Sequence, residues 1–491
     1  MHLSPSHVYA WSGNTLGKEA DRKKFWSYVK SKRQDNMNSS PLRDHNNIPQ
    51  YDPQVKAGIL NDQFASVFSS GTDKEVPLIG ERTPVMNPIV VTEPGVRTLM
   101  ENLHPNKASG PDGIPARLLK ELAKELSPVF TTLFQASLDQ SKIPEDWKSA
   151  YITPLFKKGD PLKASNYRPV SLTSIPCKLL EHIVHSNVIN HLLSHKVLTD
   201  SQHGFRKKRS CESQLILTTD DLARGIEDKE QVDVIFLDFS KAFDKVHHHS
   251  LLKKLHHYGI NDSLVSWTKD FLFGRTQKVV VEGKFSDSAA VTSGVPQGTV
   301  LGPLLFLIYI NDLPNYISAG SNVRLFADDS AVYRRITSEE DAQQLQTDLD
   351  NLQKWESHWS MEFHPQKCQI LRVTNKQDPI KFKYSIHDQE LEETTNAKYL
   401  GVTINNKMSW NTHINTICTK VNNTLSFPIS GISADATPRP RSSSTKHMPD
   451  RYWSTAAQCG TLIPKKILTT LKPSKNVLPV SVQVPTAERK E

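Results

Sequence analysis

Two adjacent carboxylates between apolar flanks constrain this chain more than any other feature. In Leu325-Phe326-Ala327-Asp328-Asp329-Ser330 the acids follow Val323 and Leu325 and precede Ala331, Val332 and Tyr333. The pattern predicts a strand, a tight turn and a second strand. Successive side chains of a strand point to opposite faces, so neighbouring acids act at one place only if the backbone turns between them. Asp tolerates turn conformations well, which suits a hairpin tip. Like charges this close need a cation or a proton. Carboxylate oxygens suit Mg²⁺, commonly held by one or two acids together with substrate phosphates. The pair therefore reads as half of a metal site that requires a third acid.

The chain has 491 residues, 37% of them hydrophobic, enough for one large core or two to three smaller ones. Lys and Arg outnumber Asp and Glu by 60 to 52, a net charge of +8 that fits a polyanionic partner. The five cysteines, Cys177, Cys211, Cys368, Cys418 and Cys459, are dispersed and form no CxxC pair. Neither a disulfide framework nor a zinc knuckle is expected, and a reducing compartment fits. Met1 to Asn14 has no apolar stretch of the secretory kind, and the apolar run Leu304 to Ile310 is too short for a bilayer. The expectation is an intracellular protein, nuclear or cytoplasmic, without a membrane segment.

Near the start, Lys18 to Arg33 is basic, with Phe25, Trp26 and Val29 at helical spacing. A second segment places Val55, Ile59, Leu60, Phe64, Val67 and Phe68 on one stripe. Turn-rich Lys107 to Pro115 precedes the helical pattern of Leu118, Leu119 and Leu122. Tyr151 to Phe156 reads as a strand running into Lys157 and Lys158, and proline keeps Asn166-Tyr167-Arg168-Pro169-Val170-Ser171-Leu172 extended. Lys157, Lys158 and Arg168 are either ordinary surface charges or a cationic fork for a triphosphate. Gln202 to Arg209 sets Arg206, Lys207, Lys208 and Arg209 beside Phe205, as a single-stranded nucleic acid would require, although a solvated turn accounts for them equally.

The third acid is Asp238. The run Val232-Asp233-Val234-Ile235-Phe236-Leu237 delivers it as a buried central strand delivers a residue to its edge. A buried Asp there would require a metal or an Arg partner. Ser240 to Val246 is expected to turn away as a short helix. Ser250 is expected to cap the next helix, which carries Leu251, Leu252, Leu255 and Tyr258 and stops at Gly259. His247-His248-His249 cannot all face one ion and reads as solvated helix-start residues. The loop Ser293-Gly294-Val295-Pro296-Gln297-Gly298-Thr299 leads to Gly302-Pro303 and an apolar helix, a place where a nucleotide can approach the backbone. Asp341 to Trp359 reads as a helix, Cys368 to Val373 as a strand and Lys398 to Ile404 as another. Helical periodicity fades near Leu425, and Pro, Ser, Thr and Arg dominate beyond Phe427.

The ordered motifs resemble the reverse transcriptases of non-LTR, LINE-type retrotransposons, most closely the jockey group. They are Ser109-Gly110-Pro111-Asp112-Gly113, Asn166-Tyr167-Arg168-Pro169, Gly204-Phe205-Arg206, Leu237-Asp238-Phe239-Ser240-Lys241-Ala242-Phe243-Asp244, Gly294-Val295-Pro296-Gln297-Gly298 and Phe326-Ala327-Asp328-Asp329. The resemblance covers roughly Val91 to Ile404. It implies an α+β right-hand polymerase, with a basic helical segment and linker over 1–90, fingers over 91–230 and a palm over 231–405. A residual thumb start over 406–429 and a low-complexity tail over 430–491 would complete the chain. It also implies an RNA-directed DNA polymerase using two Mg²⁺ ions, with Mn²⁺ as a substitute, an RNA template, a DNA or RNA primer and deoxynucleoside triphosphates.

By the same resemblance, Asp238 and Asp328 would hold both metals and Asp329 would complete the cluster. Lys367 would give a proton to departing pyrophosphate. Lys158, with Lys157 as the competing assignment, and Arg168 would grip the triphosphate. Phe243 would exclude a ribose 2′-OH, Gln297 would contact nucleotide and template, and Ala327 would lie beneath the primer end. Elements of this kind usually carry an upstream endonuclease, for which no room exists before Val91, and the tail matches nothing in the family. The expectation is a partial copy with weak, distributive synthesis. Its rivals are a non-catalytic nucleic-acid-binding remnant and an RNA-templated RNA polymerase, the latter opposed by the bulk of Phe243.

Overall fold

The computed structural model describes residues 40–69, 76–77 and 80–430. The basic segment Lys18–Arg33 and the tail beyond residue 430 lie outside the described residues. The chain divides into two compact units. Among the described residues, the first comprises those up to 199, 240–313 and 354–362, and the second comprises 200–239, 314–353 and 363–430.

In the first unit, Tyr167–Leu172, Ser149–Phe156, Arg275–Val281 and Lys284–Phe285 lie side by side in that order, and Ala289–Val291 also pairs with Arg275–Val281. Tyr151 pairs with Leu172 in the antiparallel direction and Ser149 with Thr276 in the parallel one. The helix Pro53–Ala65 is started by Asp52, whose side chain accepts from the amides of Gln54 and Val55, and by Pro53 at its first position. It buries Ala57, Leu60 and Phe64 in one cluster with Ala150, Ile152, Val279 and Val281. The apolar stripe expected there is shorter than the sequence suggested, because Val55 is exposed and the helix ends before Val67.

The same unit holds the helices Ile175–Ser194, His248–His257, Asp262–Leu272 and Leu301–Ile310. Leu301–Ile310 has no polar face, and every residue but Pro303 is buried, so it is a core helix. Its first amides are capped from elsewhere in the chain: buried Glu181 accepts from the amides of Val300 at 2.6 Å and Leu301 at 3.0 Å. A carboxylate at a helix N-terminus meets both orphan donors and the positive end of the helix dipole. Burial nevertheless pushes the Glu181 carboxyl upward.

The second unit is built on a five-stranded sheet in the order Glu392–Thr394, Gln369–Val373, Gln231–Leu237, Asp329–Ile336, Ser321–Phe326. The expected central strand is central, and it runs antiparallel to both neighbours. Leu215 and Leu222 of the helix Cys211–Glu227 join Val232, Val234, Ala331, Tyr333, Leu371 and Val373 in one core cluster. Asp233 interrupts the apolar run and is fully buried, but Gln231 donates to it at 2.9 Å, Tyr384 at 2.9 Å, and Arg372 lies 3.5 Å away. Its burial is therefore satisfied by partners.

Several expectations about this architecture need correction. Ser240 to Val246 forms turns without a helix, and the helix after it starts at His248, with Ser250 buried inside rather than capping. His247 and His248 are buried, not solvated. Lys398 to Ile404 is a hairpin, Asn396–Tyr399 paired with Val402–Asn405, because Leu400 and Gly401 both take positive φ and reverse the chain. The helix expected to fade near Leu425 runs over Asn411–Ser430.

Candidate active site

Strand register gathers the acids of the second unit at one end of its sheet. Ser321–Phe326 and Asp329–Ile336 form the expected hairpin, with Phe326 facing Asp329 and only Ala327 and Asp328 in the turn. Across the other edge, Ser330 faces Leu237. Extending that antiparallel register by one step sets Asp238 opposite Asp329, where directly opposed residues lie about 4.5–5.5 Å apart at Cα. Asp328 is the adjoining turn residue. Asp238 and Asp329 are thus carried by neighbouring hydrogen-bonded strands, and both line one pocket.

The turn is tight at a cost. Ala327 has φ +54°, the left-handed region, in which a non-glycine residue is strained by roughly 1–3 kcal/mol. Gly204 approaches so closely that a Cβ there would lie 2.3 Å from the Ala327 nitrogen. A glycine is needed at this position for contact with the hairpin tip, a reason separate from turn formation.

Asp238 is not buried: its side chain is 46% exposed, and its Oδ1 lies 3.7 Å from Nζ of Lys367, itself 54% exposed. The burial expected of this acid therefore fails, since it sits just past the strand end, but a cationic neighbour is present. The backbone fixes that neighbour. The His364 amide donates to the Asp238 carbonyl at 2.8 Å, and Phe239 stacks on Phe363 with ring centroids 4.5 Å apart. A pocket opens beside the acids, lined by Asp238, Asp329, Ser330, Lys367, Gln369 and the hairpin residues Lys398 to Gly401. The sequence did not single out Ser330 or Lys398 to Gly401, because only the hairpin that Gly401 helps to close brings the latter to this place.

The cationic run in this unit divides. Lys207 and Lys208 are exposed, as is Phe205. The Arg206 side chain is only 10% exposed and reaches the Gln202 carbonyl at 3.4 Å, while Arg209 donates to the Asp200 carboxylate at 2.5 Å. Two of the four cations are thus engaged in holding their own loop.

The remaining candidates lie in the first unit. Lys158 follows the exposed end of Ser149–Phe156, and Arg168 is exposed on the strand paired with it, opposite Leu155. Phe243 stacks on Phe306 at 4.3 Å and 18°, which fixes its ring plane. Its neighbour Asp244 is buried and accepts from Nε2 of Gln297 at 3.0 Å. Burial raises the Asp244 carboxyl, while Gln297, Lys241 and Arg168 pull it down. The Gln297 carbonyl accepts from the Ser171 amide at 2.7 Å. Gly294 has φ +85° and passes so near Phe243 that a Cβ would lie 2.7 Å from its carbonyl oxygen. Asp244, Gln297, Pro169 and Ser171 line one pocket of this unit.

His248 closes the same loop from below, its Nε2 lying 2.7 Å from the Gly294 carbonyl, so the neutral ring donates there. Burial holds its ring at about 4, well under the ordinary histidine value of 6.5. The unfolded chain therefore binds this proton more readily between pH 6.5 and 4, and stability present above pH 6.5 is lost as pH falls through that window. Melting temperature measured from pH 7 to 4.5 should fall, and His248→Gln, which cannot titrate, should flatten that slope.

A family profile described as reverse transcriptase (RNA-dependent DNA polymerase) matches residues 156–404. The chain belongs to this family. Its similarity extends to proteins of mobile elements: it is 30% identical over 347 residues to the probable RNA-directed DNA polymerase from transposon BS of Drosophila melanogaster, covering 67% of this chain and 37% of that protein. It is 31% identical over 339 residues to the RNA-directed DNA polymerase from mobile element jockey of the same fly, 67% of this chain and 36% of the relative. The probable polymerase from transposon X-element matches at 29% over 321 residues, 64% of this chain and 35% of the relative. The chain thus spans little more than a third of these relatives' length. Both the family expected from the motifs and the α+β fold are borne out. Among the described residues no helix is long and apolar enough to cross a membrane.

The carboxylates fit divalent ions by chemistry and register: hard oxygen donors on opposed strand ends, open to a pocket. Among the described residues no three His, Cys, Asp or Glu side chains form a ready-made cage.

Proposed function

We propose that the chain is an RNA-directed DNA polymerase that extends a primer 3′-OH with deoxynucleotides along an RNA template. What supports this reading is the pairing of Ser330 with Leu237 and of Phe326 with Asp329, which leaves Asp238 one residue past a strand neighbouring Asp329 and Asp328 in the adjoining turn. Asp238, Asp328 and Asp329 would hold two Mg²⁺ ions, or Mn²⁺ in their place. Bound there, such ions neutralise the charge that develops on attacking and leaving oxygens in phosphoryl transfer.

The protein's own groups have separate tasks. Lys367, beside Asp238, carries a proton that can pass to the leaving pyrophosphate oxygen. Arg168 and Lys158 are exposed cations for the triphosphate, Arg168 able to bind it in bidentate fashion. Phe243, fixed by its stack on Phe306, bars a 2′-OH, and Gln297, fixed by Asp244 and Ser171, contacts the nucleotide and template. Ala327 supports the primer end. Arg206, Lys207, Lys208 and Arg209 form the cationic loop for a nucleic-acid strand, with Lys207 and Lys208 the outward members.

Primer extension by the full chain on an RNA template tests the reading. Deoxynucleotide-dependent product is expected, and Phe243→Ala should raise ribonucleotide incorporation relative to deoxynucleotide by roughly 10- to 100-fold. No extension by the unaltered chain overturns the polymerase reading. An unchanged sugar preference in Phe243→Ala removes the role given to that ring.

A further inference from the structure

The acid hairpin is the outer pair of strands in its sheet, and its edge is not open. Residues 201–203 run alongside it: the Leu325 amide donates to the Ser201 carbonyl at 2.9 Å, and the His203 amide donates to the Leu325 carbonyl at 2.9 Å. Gln202 sits between these two bonds as the bridge partner of Leu325. Its side chain, in a residue only 4% exposed, does not point outward. Oε1 accepts from the Ala327 amide at 2.9 Å and from the Gly204 amide at 2.7 Å.

Those two backbone donors fix which end of the amide group is the oxygen. The buried Nε2 makes no hydrogen bond in return, so the side chain's polar engagement is with the hairpin tip and its own loop. The bond to Ala327 falls on the one turn residue held at positive φ, immediately before Asp328. An Ala in this conformation persists only where its surroundings over-determine it. A buried acceptor on its amide, an edge ladder on the preceding strand and the close contact of Gly204 together do so.

We infer that Gln202 is a positioning residue for the acid cluster, fixing the Ala327-Asp328 turn so that Asp328 and Asp329 are held ready for the divalent ions. The inference rests on the proposed polymerase reading for its catalytic consequence, but the structural part stands without it. The interaction requires an acceptor oxygen at the end of a three-carbon reach. Glu supplies one whether or not its carboxyl is protonated, and Leu fills the volume without supplying any.

Two measurements on the full chain, with Gln202→Leu and Gln202→Glu, decide the matter. Hydrogen exchange of peptides covering residues 325–329 needs no activity. It should quicken about tenfold or more in Gln202→Leu, as loss of one buried hydrogen bond implies, and stay within about threefold of the unaltered chain in Gln202→Glu. Single-nucleotide incorporation should show kcat lowered about tenfold or more in Gln202→Leu, the nucleotide KM changed less than about twofold, and recovery in Gln202→Glu. Unchanged exchange in Gln202→Leu overturns the inference, and so does a Gln202→Glu chain as impaired as Gln202→Leu. Wild-type incorporation rates in Gln202→Leu overturn its catalytic part. If the unaltered chain does not incorporate nucleotides, the polymerase reading fails by itself, and the exchange measurement still decides whether Gln202 holds the turn.

Discussion

Asp238→Asn is expected to lower single-nucleotide incorporation at least about a thousandfold while leaving the fold intact. The change removes one negative charge from the three proposed to hold the ions and keeps the side chain's size. Asp238 lies beyond the last residue of the strand Gln231–Leu237 and is half exposed, so no core contact depends on its charge. Charge stabilisation worth about 4 kcal/mol in the transition state corresponds to that factor. Rates at saturating nucleotide, compared with the melting temperature of the same preparation, check it. A variant that melts like the unaltered protein and still incorporates within tenfold of its rate would remove Asp238 from the chemistry.

A second large effect is expected in the first unit and on stability alone. Lys254 is fully buried, with Nζ 2.6 Å from Asp312 and 3.5 Å from the centroid of the Trp359 ring, and it also donates to the Tyr309 carbonyl. Asp312 in turn accepts from Nε1 of Trp355 at 2.9 Å. Burial lowers the Lys254 ammonium to about 8, against the pull of Asp312. Asp312→Ala leaves a buried cation without its counter-charge, a loss that costs about 3–5 kcal/mol in such pairs. Denaturant unfolding followed by tryptophan fluorescence should register it, because Trp355 and Trp359 lie at the site. Lys254→Met with Asp312→Leu, which removes both charges, should recover much of the loss. Equal destabilisation by single and double variants would contradict this account.

How far each feature could be read from sequence depended on the range of the contacts that make it. The acid hairpin and the strand before Asp238 were legible because their apolar alternation is local and each buries a face in the same core. The helices Glu339–Trp359 and Leu301–Ile310 were legible for the same reason. The break at Leu400-Gly401 was missed because a non-glycine residue at positive φ breaks the rule used to find turns. His247 and His248 looked solvated because nothing local reveals that the Gly294 loop covers His248. Nothing local marks Lys254 as buried, because its partner Asp312 lies in another segment. Of the proposed site, the carboxylates were read from their apolar flanks and motif order, and Lys367 from the resemblance. Gln202 was passed over, since its role consists of hydrogen bonds to a backbone more than a hundred residues away.

The account stands on three acids sharing divalent ions, and binding of the ions tests it more directly than any rate. Mn²⁺ titrated into the full chain with primer, RNA template and a non-hydrolysable deoxynucleotide can be followed by loss of the free-ion paramagnetic resonance signal. The account predicts saturable binding to the unaltered chain, weakened at least about tenfold by Asp238→Asn and again by Asp328→Asn, as expected when a ligand charge is lost. Equal Mn²⁺ affinity in all three chains would contradict it.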